Sequence, residues 1–126
     1  QGYGLKSGAV ATSISHDSHN IIVVGANEAN MAAAVNRVVE LNGGIVVWDG
    51  GAPAAEVPLA IAGIMSDEPL EQVNQRLEDA KEKAHALGVS SGVDPFMTLS
   101  FMALPVIPSL RITTRGVFDV TQQKYV

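Results

Sequence analysis

The sequence predicts a layered α/β (α+β) domain in which two main helices pack on a mixed, largely antiparallel sheet. Two stretches, 28–41 and 70–87, carry apolar residues at helical spacing. Short runs rich in valine and isoleucine recur between polar or glycine-containing breaks, which is typical of strands. Residues 49–51, Asp-Gly-Gly, favour a tight turn between two of these strands. Because the chain has 126 residues, we expect residues 1–126 to form a single domain.

The first two predicted strands flank a short polar stretch. Residues 8–15 alternate β-branched with small side chains, and the face of small side chains favours close approach of a helix or another backbone. The run 21–24 is apolar at every position, which predicts a central strand covered on both faces. Residues 16–20 are all polar, so we expect them to form a connection between the strands or a bulge.

A helix and two strands follow. Asn27 is a predicted N-cap, and apolar residues at helical spacing predict a helix over 28–41 that stops at the glycine pair 43–44. The next strand covers 45–48. After the turn the chain returns as a strand over 54–59, which neighbouring prolines place at an edge of the sheet.

The second helix has a narrow apolar seam and a charged opposite face. The apolar seam predicts a helix over 70–87. Pro69 suits the first turn of this helix, and Gly88 is expected to end it. The polar residues before Pro69 are explained well by helix capping. His85 lies near the end of the helix among charged residues, which predicts a surface histidine.

The last third of the chain predicts strands and an apolar surplus. Residues 97–101 alternate like a strand, but the longer run 96–107 carries more apolar side chains than one strand face can bury. We therefore expect part of this run to dock on a partner. Two further strands, over 110–112 and 117–120, are expected to form a closing hairpin. Residues 121–126 are expected to form a tail.

Composition narrows the functional classes. The net charge of −5 argues against general binding of nucleic acid or of an anionic membrane, because both need clustered lysine and arginine. No stretch is long and apolar enough to span a membrane. The chain has no cysteine, which is compatible with the cytoplasm, the compartment that we expect. The residues are 47% hydrophobic and 17% charged, so we expect a partner, including a second copy of the chain in a homo-oligomer, to cover apolar surface.

The polar stretch His16-Asp17-Ser18-His19-Asn20 is the main candidate for chemistry, and we call it the pentad loop. Imidazole titrates near neutrality, so these histidines suit proton transfer or hydrogen bonding. The alternative is that these residues only form a turn, since Asp, Ser and Asn bond readily to nearby backbone. The two histidines do not predict a metal site: three positions apart on a strand they point to opposite faces, and further ligands are not evident.

At several landmarks the chain resembles the C-terminal domain of bacterial adenine deaminase, in the amidohydrolase superfamily. The resemblance rests on the pentad loop with 21–25, on 65–69, on 94–101 and on 104–108, and it covers nearly the whole chain. It implies hydrolysis of adenine to hypoxanthine and ammonia. It also implies an upstream barrel that holds a divalent metal, iron or manganese, with all metal ligands outside this chain.

The resemblance raises the pentad loop from a turn to a candidate part of an active site. The candidate catalytic residues are His16, Asp17 and His19, and the candidate substrate-binding residues are Ser18, Asn20 and Asp67. An aspartate can fix a histidine tautomer, and serine and asparagine can hydrogen-bond ring nitrogens of adenine. A second hypothesis stays open: the chain is a structural or oligomerisation module that packs on the barrel or on a sister subunit.

Other enzyme classes lack their signatures here. The cysteine-dependent zinc site of cytidine-type deaminases is excluded because the chain has no cysteine. The sequence contains no dinucleotide-binding fingerprint, no phosphate-binding P-loop and no Gly-x-Ser-x-Gly elbow.

Overall fold

The computed structural model describes residues 2–126, in which three helices and seven strands form a mixed α/β fold. This confirms the predicted class. In chain order the elements are β1 (Ala9–Thr12), β2 (Ile22–Gly25), α1 (Glu28–Glu40), β3 (Gly44–Asp49), β4 (Ala52–Pro58), α2 (Leu70–Ala86), α3 (Pro95–Ser100), β5 (Leu110–Thr113), β6 (Gly116–Asp119) and β7 (Lys124–Tyr125). None of the helices in this part of the chain is long and apolar enough to cross a membrane.

The core is a four-stranded antiparallel sheet in the order β2-β1-β3-β4, with a helix layer on each face. Side chains alternate between the two faces along each strand. On one face Ala9 and Ala11 are fully buried against Ala34 and Val38 of α1, so the predicted small face does receive a helix. On the opposite face Val10 packs with α2. The sheet is thus covered on both sides.

Local signals set both ends of α1. The Asn27 side chain accepts a hydrogen bond from the Asn30 N–H at 2.9 Å, as expected for an N-cap. At the other end Asn42 takes a left-handed conformation with φ of 59°, so it, ahead of the glycine pair, turns the chain out of the helix. The predicted helix 28–41 is confirmed to within one residue.

The helix α2 matches its predicted range, but two details differ. Val73, Leu77, Ala80 and Ala84 pack on the core as the seam requires. Leu70, which we placed in the seam, is exposed because the first turn extends beyond the core. Capping does not explain the residues before Pro69, because Pro69 itself occupies the N-cap position and α2 has no side-chain cap.

Three predictions about strands are wrong. Residues 97–101 lie mostly in the short helix α3, because Asp94 caps its N-terminus and Pro95 suits its first turn. The strand β2 is at an edge of the sheet; its two faces are covered by α1 and α3, which explains its continuous apolar run. The predicted tail contains β7, which joins β5 and β6 in a second, three-stranded antiparallel sheet.

Asp94 links α3 to α2, and this link predicts a pH-dependent stability. Its carboxylate accepts the N–H groups of Phe96 and Met97, at 3.0 and 2.8 Å, and lies 3.5 Å from Lys81 Nζ. Partial burial pushes the Asp94 pKa upward, but these N–H groups and Lys81 outweigh it and hold the pKa below its usual 3.8. Because the Asp94 pKa is lower in the folded than in the unfolded protein, the ionised carboxylate stabilises the fold at pH values above the unfolded-state pKa. This stabilisation is lost as the pH falls below 3.8 and the carboxylate becomes protonated.

We therefore expect Asp94→Ala to lower the free energy of unfolding by about 1–2 kcal/mol near neutral pH. Denaturant unfolding at a series of pH values should show this penalty shrinking as the pH falls below the usual Asp94 pKa of 3.8. Asp94→Asn is the control, because it keeps a capping oxygen but loses the charge. An Asp94→Ala penalty of equal size across the series would contradict the assignment.

Candidate functional site

Two polar connections lie at the same end of the four-stranded sheet. Because β1 and β3 are each antiparallel to their neighbours, β1 and β4 end where β2 and β3 begin. Ser13 joins the connections: its Oγ accepts the Gly44 N–H at 2.8 Å and donates to the Gly63 carbonyl. The fold therefore brings the pentad loop and the segment containing Asp67 to one end of the sheet.

The pentad loop is fastened to the end of α3. The His16 imidazole stacks on the Phe101 ring with centroids 5.0 Å apart and planes inclined by 3°. The His16 backbone N–H donates to the Ser100 carbonyl at 2.8 Å. The His19 backbone N–H donates to the Ser15 carbonyl at 2.9 Å, which closes the loop on itself. The loop is thus held from both sides by contacts that leave its polar side-chain atoms available.

The side chains of the loop point largely to solvent. His16, Asp17, Ser18 and His19 are exposed, whereas Asn20 is half-buried. The Asn20 amide donates to Ser18 Oγ at 3.2 Å. Within residues 2–126 no side-chain hydrogen bond or ion pair engages the imidazoles of the loop or its carboxylate. A connection between β1 and β2 is confirmed, and its titratable groups are free to meet a ligand or another part of a larger protein.

Asp67 occupies the second connection. Its carboxylate is exposed, and no hydrogen bond or ion pair to it occurs within residues 2–126. The neighbouring turn is stabilised by the Ser66 hydroxyl, which accepts the Glu68 N–H at 3.1 Å. Asp67 and the pentad loop share one end of the sheet, but no direct contact joins their side chains in the described part of the chain.

A groove of about 560 Å³, which sequence analysis missed, begins beside the pentad loop. One side of the groove is lined by Asn20 and residues 21–24, which include most of β2. The other side is lined by residues of α3, of β5 and of the N-terminal segment. The Tyr3 hydroxyl in this lining donates to the Pro95 carbonyl at 3.0 Å, and burial, helped by the charge of Asp94, raises the Tyr3 pKa above its ordinary value. The apolar run 21–24 is the sequence feature that indicates the groove, because these residues line it in addition to covering the sheet.

Two further polar groups lie outside the pentad loop, and one of them, His85, differs from its prediction. The Ser15 hydroxyl is buried just before the pentad loop and has no hydrogen-bond partner among residues 2–126. His85 is half-buried, and its Nδ1 lies 3.0 Å from the Val89 carbonyl. His85 therefore secures the end of α2 and is more than a solvated surface histidine.

The residues present do not fit the divalent metal that the resemblance implies. Among residues 2–126 no group of three or more histidine, aspartate or glutamate side chains is arranged to hold a metal ion. The pentad loop supplies two imidazoles and one carboxylate, but they do not converge. What the loop offers chemically is hydrogen bonding and proton transfer.

Comparison with known proteins places the chain in a family. The family described as the adenine deaminase C-terminal domain matches residues 1–124. The chain is similar to adenine deaminases from Bacillus subtilis (strain 168), with 51% identity over 126 residues, and from Methylobacterium sp. (strain 4-46), with 52% over 124. These matches cover 100% and 98% of the chain.

The chain spans only 22% of the length of each of these two relatives. A third adenine deaminase, from Nitratidesulfovibrio vulgaris (strain DP4), is 50% identical over 121 residues, which are 95% of the chain and 21% of that protein. The family match over almost all of the sequence confirms the resemblance drawn from the landmarks at 16–25, 65–69 and 94–108. This chain belongs to the adenine deaminase C-terminal domain family.

Proposed function

We propose that residues 1–126 form a single domain of an adenine deaminase, in which the pentad loop completes or closes an active site carried by the upstream part of the protein. The reaction is hydrolysis of adenine to hypoxanthine and ammonia, in an enzyme of the amidohydrolase superfamily. Family membership supports the reaction. The observation that carries the role of this domain is the exposed pentad loop held in place by stacking of His16 on Phe101.

The position of the loop favours a site role over a simple turn. A turn needs polar residues that bond to nearby backbone. Here Asp17 makes no such bond in the described part of the chain, and Asn20 bonds only to Ser18. The His16 ring is fixed by an aromatic partner, which limits its motion and costs less entropy when a ligand is bound. An exposed but fixed imidazole is suited to contact a neighbouring domain or its substrate.

The roles of the residues follow from their chemistry. Replacement of the amino group of adenine by water needs proton transfer to the departing ammonia. His16 and His19 suit that transfer, and Asp17 suits orientation of an imidazole. Ser18, Asn20 and Asp67 can hydrogen-bond the edge of a purine. In this proposal, ligands outside residues 1–126 would hold a divalent metal, iron or manganese, which would supply activation of water when bound.

A structural role is the second candidate, and the distribution of apolar side chains favours it as an additional function. Ile61, Met65, Leu70 and Val106 are all exposed. Large exposed apolar patches on monomers are uncommon and mark interaction surfaces. These side chains suit packing on the upstream part of the enzyme or on a sister subunit.

The chain by itself should not deaminate adenine. Among residues 2–126 no side-chain group is arranged to hold a metal ion, and in this proposal the metal that would activate water is held by the upstream part of the protein. We expect the purified 126-residue chain, with iron or manganese added, to release no ammonia above the blank. The matched positive sample is the B. subtilis adenine deaminase whose corresponding 126 residues are replaced by this chain. Metal-dependent turnover of adenine by the 126-residue chain alone would contradict the proposal that the metal is held by the upstream part of the protein.

A further inference from the structure

The free edge of β2 lies along the groove described above. The strand β2 pairs with β1 only, and within residues 2–126 no strand pairs with its other side. The Ala26 N–H donates to the Gly8 carbonyl at 2.9 Å, and the same register runs through the pairs Val10↔Val24 and Thr12↔Ile22. Because hydrogen-bonded and non-hydrogen-bonded pairs alternate in an antiparallel ladder, the backbone groups of Val23 and Gly25 point away from β1.

The groove is shaped and lined for an apolar chain segment. It runs along Asn20 to Val24, and its opposite side carries Met102 and Ile112, which are both exposed. An open strand edge beside an apolar groove is the arrangement in which proteins bind an extended segment: backbone hydrogen bonds give affinity, and the groove receives alternate side chains. A small polar ligand would find few partners in this lining.

The position of the N-terminal segment identifies the occupant. Gly2 and Tyr3 line the same groove, so the polypeptide enters the domain there. In the B. subtilis relative the matching segment is 22% of the protein, and the family is described as a C-terminal domain, so most of such a protein precedes the segment. The sequence that precedes this domain in the longer protein is therefore next to the groove by covalent connection.

We propose that, in the longer protein, an extended segment of the upstream polypeptide fills this groove and pairs as an additional strand with the free edge of β2. This inference rests on family membership and on the groove, and it does not depend on the catalytic role of the pentad loop. Since Asn20 lies at one end of the groove, such a strand also fixes the pentad loop relative to the upstream part of the enzyme.

Hydrogen exchange of individual backbone amides tests the proposal. The samples are the 126-residue chain and the longer protein made by placing this chain at the matching segment of B. subtilis adenine deaminase. We expect the Val23 and Gly25 amides to exchange at least about 100-fold more slowly in the longer protein. The Ile22 and Val24 amides already face β1 and serve as internal controls, with similar exchange in both samples.

A pair of matched variants separates the groove from general effects on stability. Ile112 lines the groove and is 63% exposed, whereas Leu110, on the same strand, is 51% exposed and does not line it. In the longer protein Ile112→Glu should accelerate exchange at Val23 and Gly25 by about tenfold or more, and Leu110→Glu should not. This experiment measures amide exchange and not turnover. It therefore tests strand pairing even if the pentad loop has no catalytic role.

Two results would overturn the proposal. Equal and rapid exchange of the Val23 and Gly25 amides in both samples would show that nothing pairs with the edge. If the Val23 and Gly25 amides of the 126-residue chain exchange more slowly as the protein concentration is raised, a second copy, and not the upstream polypeptide, occupies the groove.

Discussion

Alanine at His16, Asp17 or His19 should lower the turnover of adenine by the longer protein about 10²- to 10⁴-fold, the range typical for loss of a general acid or base. The melting temperature should stay unchanged for Asp17→Ala and His19→Ala, because both side chains are exposed and make no hydrogen bond or ion pair within residues 2–126. His16→Ala also removes the stacking on Phe101, so its melting temperature should fall slightly. The His16 backbone N–H, which anchors the loop to Ser100, remains in the variant. For Asp17→Ala and His19→Ala the loss of turnover is therefore expected to come from catalysis and not from unfolding.

Steady-state ammonia release, with kcat and KM determined separately, measures this effect. Asp79→Ala is the matched control, because it removes an exposed aspartate from α2. This variant should retain the turnover of the parent protein. Unchanged turnover in all three variants of the pentad loop would refute its catalytic role and leave the structural function of the domain.

Gly43→Ala is expected to destabilise the chain by about 3 kcal/mol or more. Gly43 has φ of +116°, and an added Cβ would lie 2.4 Å from Gly63 Cα and 3.1 Å from the Leu59 carbonyl oxygen. The neighbours are backbone atoms, so they can give way only if the connection between β4 and α2 moves. That connection also carries Asp67 to the end of the sheet where the pentad loop lies.

Denaturant unfolding of the 126-residue chain measures this loss. Gly92→Ala is the matched control, because an added Cβ at Gly92 meets no atom within 4 Å. The control should change the free energy of unfolding by less than about 1 kcal/mol. A Gly43→Ala variant as stable as this control would show that the close approach to Gly63 is not required.

Elements with local signals could be predicted from the sequence. Asn27 caps α1 as expected, and the turn at 49–51 joins β3 to β4 in an antiparallel pair. The hairpin of β5 and β6 was likewise visible in the alternation of residues and in the turn between them. These features depend on residues close in the sequence, so patterns and turn residues are sufficient to indicate them.

The errors arose where distant parts of the chain decide the outcome. An apolar run indicates that both faces of a strand are covered, but not whether it has one neighbour or two, so the edge position of β2 was missed. Residues 97–101 alternate as a strand would, whereas Asp94 and Pro95 together indicate a helix start, and in the structure these local signals start the short helix α3. The groove depends on both of these elements and was therefore missed as well.

The candidate site was predicted in part. The pentad loop was recognised from its polar composition between two strands, and the structure confirms that it is a connection. Stacking of His16 on Phe101 could not be predicted, because it depends on where α3 ends relative to β1. In the proposed role, contact of these side chains with adenine also involves residues outside this domain, and patterns within the domain do not encode it.

A crystal structure of the longer protein with adenine or a non-hydrolysable analogue bound tests the role of the pentad loop most directly. We predict that at least one side chain among His16, Asp17 and His19 lies within hydrogen-bonding distance, about 2.7–3.2 Å, of the purine or of the water that attacks it. A pentad loop that faces solvent, remote from the bound purine, would contradict the proposal.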